Sequence, residues 1–352
     1  MTAISVLDQG PVRAGGEPGH ALHDTVELAR YAEQLGYRRH WVAEHHSTAM
    51  MGTSAPEILI GHLAALTSTL RLGTGGMMLP NHRPLHLAEQ FRTLNALYPG
   101  RIDLGVGRSS GTGDETTARA LGWTPERRDT FDEQLAELLG HGGVRPLPAE
   151  HPYAALRAVP AEIPLPPVYV LGSSVASAER TARAGLPYAF FAAYVNPETA
   201  VAALRRYREV FTPARDGDLP YTVLALRVWA GEDDEHAARL AAPGKLAVLQ
   251  IRTGRDPRLV PVETALAHRL SEAERAAEAS LDQRSDVIGG PEAVRDRLTS
   301  LIEASGADEV MALTNTFDPV ERRASYRRLA EALDVTPLTP GPAALRRPRR
   351  TV

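Results

Sequence analysis

Val168-Tyr169-Val170-Leu171-Gly172-Ser173-Ser174 is a short run, apolar on both faces, that halts on a glycine and two serines. A strand wetted on one side alternates polar and apolar residues. A run without alternation therefore predicts a strand at 168–171 covered from both sides, as in a parallel sheet flanked by helices. The amphipathic segment 176–184 reads as the helix that follows it. The same unit recurs in both directions along the chain. Before it, strands are expected at 4–7, 40–43, 70–73 and 102–106, with helices at 23–35, 56–67 and 85–97 between them. After it come strands at 189–192, 222–228 and 309–313 and helices at 198–211, 293–305 and 320–333. Glycine, proline and asparagine punctuate the joints. Eight strand–helix units predict a closed α/β barrel, the (β/α)8 TIM barrel with insertions, in preference to an open doubly wound sheet.

Two segments interrupt the rhythm: 139–167, with prolines at 146, 148, 152, 160, 164, 166 and 167, and 242–290, long and charged. Both are expected to be insertions in one domain spanning 1–335. Their predicted place is the loop-bearing face, where lids and substrate walls are built. The tail 336–352, with Arg346, Arg347, Arg349 and Arg350 among prolines, reads as disordered.

Composition narrows the chemistry. The 352 residues include no cysteine, which removes disulfides, thiolate nucleophiles and iron–sulfur clusters. With 39 basic and 43 acidic side chains the formal charge is −4, which supplies no field to attract nucleic acid or an anionic membrane. No stretch approaches the roughly 20 apolar residues that span a bilayer. The opening Met1-Thr2-Ala3-Ile4-Ser5 lacks the profile of a secretory leader, so a cytoplasmic location is expected.

Function in such a barrel sits at the C-terminal ends of the strands. Those ends read Glu44-His45-His46, Gly73-Thr74-Gly75-Gly76, Gly105-Val106-Gly107-Arg108-Ser109-Ser110-Gly111 and Gly172-Ser173-Ser174, on adjacent strands and so in one pocket. His45 and His46 face opposite sides of a strand, which argues against a shared metal ion, and none is expected. A histidine at a strand end suits proton transfer; the plain alternative is one imidazole bonded within its loop and another solvated. Gly75 and Gly76 offer bare backbone to a flat ligand, or simply a tight turn. Arg108, with Gly172-Ser173-Ser174 opening a helix and Ser177 three residues on, describes a phosphate cradle. Ordinary helix capping beside a surface arginine explains the same residues. Gly107-Arg108-Ser109-Ser110-Gly111 also matches the nucleophile elbow of serine hydrolases, and with Gly105 it hints at a dinucleotide loop. Both need a helix directly after the motif, and Gly111-Thr112-Gly113-Asp114 follows instead.

The strand-end blocks resemble those of a known family. They are Trp41-Val42-Ala43-Glu44-His45-His46, Leu72-Gly73-Thr74-Gly75-Gly76-Met77-Met78-Leu79-Pro80-Asn81-His82, Ala88-Glu89-Gln90, Tyr98-Pro99-Gly100-Arg101-Ile102-Asp103-Leu104-Gly105-Val106-Gly107-Arg108 and Val168–Ser174. In this order they are similar to the bacterial luciferase-like flavin-dependent monooxygenases, densely from Ser5 to Phe191. The resemblance implies reduced FMN, supplied by a separate flavin reductase and reacting with O2 to give a flavin hydroperoxide that oxidises a small organic substrate, within a homodimer. It implies that His45 is the active-site histidine and that Gly75-Gly76 is a non-proline cis peptide under the flavin ring, with Thr74 beside it. Arg108, Ser174 and Ser177 match phosphate-binding positions, with Gly172 and Ser173 contributing backbone. Ser173 and Gly107 stand where the light-emitting enzyme has an acidic residue and a cysteine, which points to the non-luminescent subgroup. Rival expectations are a deazaflavin-dependent hydride-transfer oxidoreductase on the same barrel, a non-catalytic flavin-binding or partner subunit, and a hydrolase using Ser109. Met77, Met78 and Leu79 hint at a hydrophobic substrate, although barrel packing explains them equally. Pocket walls are expected from 77–84, 109–117 and the two insertions.

Overall fold

In the computed structural model, which describes residues 2–282 and 284–336, ten strands form. They are β1 (Ala3–Asp8), β2 (Arg39–Val42), β3 (Arg71–Thr74), β4 (Met77–Met78), β5 (Ile102–Gly107), β6 (Val168–Gly172), β7 (Tyr188–Phe191), β8 (Thr222–Ala230), β9 (Val287–Gly289) and β10 (Glu309–Leu313). Eight of them close into a parallel barrel in the order β1-β2-β3-β5-β6-β7-β8-β10. Closure is explicit in β10, which pairs with β1 through Ala3↔Glu309 and with β8 through Glu309↔Val223. The short β4 and β9 only extend β5 and β8 at their C-terminal ends. The expected TIM barrel is the observed fold.

Thirteen helices accompany the strands: α1 (Pro18–Leu35), α2 (Pro56–Leu66), α3 (Pro84–Leu97), α4 (Glu115–Ala120), α5 (Pro125–Asp129), α6 (Phe131–His141), α7 (Val175–Arg183), α8 (Pro197–Glu209), α9 (Asp234–Arg252), α10 (Val262–Ala267), α11 (Glu272–Ser280), α12 (Pro291–Ser305) and α13 (Pro319–Ala332). Proline opens α1, α2, α3, α8, α12 and α13. Its fixed φ suits the first helical position, where its missing N–H would have had no partner.

The doubly apolar strands follow from what each face meets. Val6, Val42, Leu104, Val170, Phe190, Leu224 and Val310 belong to the large core shared with the helices, while the next or preceding residues Leu7, Trp41, Tyr169, Ala189, Ala225 and Met311 form a separate cluster inside the barrel. Period-two geometry sends neighbours to opposite sides, and both sides are dry.

The lower barrel is filled by a polar plug. Arg39 donates to Asp103 Oδ2 at 2.7 Å and to Glu309 Oε1 at 2.8 Å, with Tyr169 and Tyr221 against its guanidinium. All three charged groups are fully buried. Trp41 lies directly above, its Nε1 donating to Asp103 Oδ2 at 3.2 Å, and so roofs the plug and floors the mouth of the barrel.

The two insertions lie on different faces, which corrects one expectation. Segment 142–167 joins the C-terminal end of α6 to the start of β6, so it covers the N-terminal face of the barrel. There Arg92 binds the carbonyls of Gly142 and Ala161, and Asn95 that of Pro164. A helix has already returned the chain to the bottom before this segment begins, and it contributes nothing to the mouth. The stretch after β8 is a strand-to-helix connection and does lie at the mouth, as expected. It carries most of α9, then α10, α11 and β9, and packs Ala247 and Leu259 against Met50. The expected disordered tail, apart from Thr336, lies outside the described residues.

Candidate active site

At the C-terminal end of the barrel, Trp41 and Gly76 border a cavity of about 330 Å³. That falls in the usual range for small-molecule sites. Eight of the nine site residues expected from sequence line it: His45, Gly75, Gly76, Arg108, Gly172, Ser173, Ser174 and Ser177. Thr74 does not. Its hydroxyl is turned to β5, donating to Gly105 O at 2.8 Å and accepting from Gly105 N at 3.1 Å.

The His45 loop is held by its backbone, which donates to Thr53 O at 2.8 Å. Its side-chain Nδ1 is buried without a partner. Burial pushes the imidazole down to about 4, against the opposing pull of the Glu44 charge, so His45 is neutral at pH 7. His46 has a different task. Its ring Nε2 lies 2.8 Å from Glu44 Oε1, and its backbone N–H donates to Gly111 O at 2.9 Å.

Glu44 proves to be the organiser of the rim. Its buried carboxylate also accepts from Met78 N at 2.7 Å and from Asn81 Nδ2 at 3.1 Å, and His82 Nε2 lies 2.9 Å away. Burial raises its pKa, but these hydrogen bonds outweigh burial and hold the carboxyl at about 2. Asn81 in turn donates to Ser110 O at 3.0 Å. Three consecutive strand ends are thereby stitched through one carboxylate. No signal in the sequence separated this role of Glu44 from that of its histidine neighbours.

The Gly75–Gly76 peptide is cis. Neither residue has room for a side chain: a Cβ at Gly75 would lie 2.6 Å from Leu7 Cδ1, and one at Gly76 2.9 Å from Gly105 O. Bare backbone therefore faces the cavity.

Ser174 is the N-cap of α7 and forms a capping box with Ser177. Ser177 Oγ is also 2.7 Å from the buried Tyr188 hydroxyl. Both serines thus shape the turn with their hydroxyls, and the capping box takes up their own N–H groups. The Arg108 guanidinium makes no side-chain hydrogen bond or ion pair among the described residues; the Asp129 carboxylate, on which its charge acts, is paired with Arg128 instead. Arg180, which sequence reasoning missed, lines the same end. It follows Ser177 by three residues, so the i, i+3 spacing that puts Ser174 and Ser177 on one helix face extends to it.

The remaining walls are apolar: Phe131, Phe191, Met78 and Met311. Gln9 adds one polar group, its Oε1 held by Asn315 Nδ2 at 2.9 Å. Ser109 lines the cavity, but its Oγ only accepts a long bond from Gly111 N, and no histidine binds it among the described residues. A hydrolase would need that base. Among the described residues no group of three histidine, aspartate or glutamate side chains is placed to hold a metal ion, and no helix is long and apolar enough to cross a membrane.

The family model for luciferase-like monooxygenases matches residues 2–309. The chain belongs to this family. Among its relatives is a luciferase-like monooxygenase of Escherichia coli K12, 38% identical over 330 residues that cover 92% of this chain and 95% of that one. The N-acetyl-S-alkylcysteine monooxygenase of Bacillus subtilis is 33% identical over 335 residues, covering 95% and 98%. The crystal structure of apo-MsnO8 superposes with a TM-score of 0.86 at 37% identity, over 96% of this chain and all of that one. This luciferase-like monooxygenase is accordingly an oxygenase, like the relatives named monooxygenase above.

Proposed function

We propose that this luciferase-like monooxygenase is the oxygenating component of a two-component system that uses reduced FMN, delivered by a separate flavin reductase, and O2 to oxidise a small, largely apolar organic molecule. The observation that carries the reading is the single cavity joining His45, the cis Gly75–Gly76 peptide, Arg108 and the first turn of α7. The residues fit the cofactor. A Cβ at Gly76 would clash with Gly105, leaving a flat backbone shelf for a planar ring. The unpaired Arg108 cation and the Val175 and Ala176 N–H groups, which the capping box of α7 leaves over, suit a phosphate. His45 Nδ1, buried and unpaired, is a free polar atom beside the shelf.

Bound reduced FMN would supply the activation of oxygen. The chain supplies placement. Gly75 and Gly76 support the ring, Arg108 with Gly172, Ser173, Ser174 and Ser177 anchors the phosphate end, and Thr74 fixes the shelf to β5 from behind. His45, neutral at pH 7, accepts or returns a proton on the substrate side. Phe131, Phe191, Met78 and Met311 exclude water and favour an apolar substrate.

As a homodimer, the chain would bury the outer apolar face of α2 and α3, where Ile58 is 72% exposed and Leu97 65%.

Anaerobic titration with photoreduced FMN, oxidised FMN and reduced deazaflavin, followed by admission of air, tests the cofactor. The expected result is binding of reduced FMN and protein-dependent oxygen uptake coupled to product. Turnover with deazaflavin in the absence of oxygen would establish the hydride-transfer alternative instead. Flavin binding without oxygen uptake on any apolar substrate would make the chain a non-catalytic partner.

A further inference from the structure

Two guanidinium groups from different elements line the end of the cavity at α7. Arg108 stands at the end of β5 and Arg180 in the second turn of α7 itself, with Ser173 and Ser174 at the same end. Arg180 also sits beside the hydroxyls that shape this turn. Burial raises the Tyr188 phenol to about 12, and the Arg180 charge acts against that rise.

Arg180 is only loosely engaged. Its Nε lies 3.7 Å from Asp132 Oδ2, beyond hydrogen-bond distance, and the two side chains are 44% and 64% exposed. Such a pair contributes little. The neighbouring Arg206 makes the contrast, donating to Glu179 at 2.5 Å. A phosphate monoester carries close to two negative charges at neutral pH and offers three acceptor oxygens, so it competes well against one distant carboxylate for a guanidinium fork.

We propose that Arg180 is the second guanidinium of the phosphate clamp, facing Arg108 across the first turn of α7, and that Asp132 is the internal anion that the cofactor's phosphate displaces. This rests on the FMN reading. The clamp then selects a phosphorylated flavin over its uncharged nucleoside, and Asp132 eases release by reclaiming Arg180.

The test is equilibrium binding, without turnover, of photoreduced FMN and of photoreduced riboflavin to the full chain and to Arg180→Gln and Asp132→Asn. Both positions are half-exposed, and far-UV circular dichroism should confirm an intact fold. Arg180→Gln should weaken FMN about tenfold and leave riboflavin unchanged, while Asp132→Asn should tighten FMN about threefold, again without effect on riboflavin. FMN affinity indifferent to position 180, or equal losses for FMN and riboflavin, would overturn the clamp alone. Unchanged FMN affinity in Asp132→Asn would overturn the exchange. A wild-type chain that binds neither flavin overturns the cofactor reading, and the clamp with it.

Discussion

Nε2 of His82 lies 2.9 Å from Oε2 of Glu44, and this contact fastens the turn after β4 to the end of β2. Glu44 is fully buried and also receives Met78 N and Asn81 Nδ2, so removing its charge leaves several donors facing a neutral group. Glu44→Gln should cost about 3 kcal/mol in urea unfolding at pH 7. The pH dependence has a definite sign. The folded carboxyl is held at about 2 against an ordinary 4.5, so its stabilisation is complete above 4.5 and is lost as the pH falls towards 2. The penalty of Glu44→Gln should shrink over that window; a penalty independent of pH would show that shape, not charge, matters at position 44.

His45 behaves in the opposite chemical sense. Burial keeps it neutral down to about pH 4, whereas an unfolded histidine takes up its proton near 6.5. Between those values the unfolded chain binds more protons, so stability rises with pH through this range. Replacing His45 by glutamine should flatten that limb of the stability curve. FMN binding should survive and oxygenation should drop at least about a hundredfold, as expected when a general acid–base group is lost. Full turnover in this variant would remove the proton-transfer role.

Gly172→Ala should disturb the turn that opens α7 and leave the rest of the barrel intact. A Cβ there would lie 2.4 Å from Ser177 Oγ and 2.8 Å from the Tyr188 hydroxyl, forcing the capping box apart. At Gly107 the nearest atom to such a Cβ is Met78 Sδ at 3.5 Å, an ordinary contact. FMN binding should therefore fall sharply in Gly172→Ala and change little in Gly107→Ala, with both variants folded by circular dichroism.

Ile58→Glu places a charge on the exposed apolar face of α2 without touching the cavity. Sedimentation of the wild-type chain should give a dimer and of the variant a monomer. A variant that sediments as the wild type would move the interface elsewhere.

Much of this site was legible in the strand ends. Glu44-His45-His46, Gly75-Gly76, Arg108 and Gly172-Ser173-Ser174 each follow an apolar run, and a barrel gathers the ends of consecutive parallel strands at one rim. Thr74 shows where that logic stops. It is one residue from the shelf, yet strand alternation and its bonds to Gly105 turn it away from the cavity. Glu44 shows another limit: in the sequence it is one residue of a strand-end block, while its four-sided clamp depends on Met78, Asn81, His46 and His82 arriving together. Segment 139–167, expected on the loop-bearing face because it interrupts the strand–helix rhythm, lies on the opposite one. Its position after α6 and before β6 was the better guide, since chain direction alone puts it at the bottom.

Periodicity is a local property, so eight apolar runs with intervening amphipathic segments already implied the barrel, its strand order and the rim on which chemistry would fall. The cavity's composition is not local. Met311 joins His45 in one cavity only because β10 closes against β1, Phe131 arrives from the helix before β6, and Arg180 lines the cavity of Arg108 only when α7 is docked. Those juxtapositions depend on ring closure and on the angle at which helices pack, which no spacing along a single chain records.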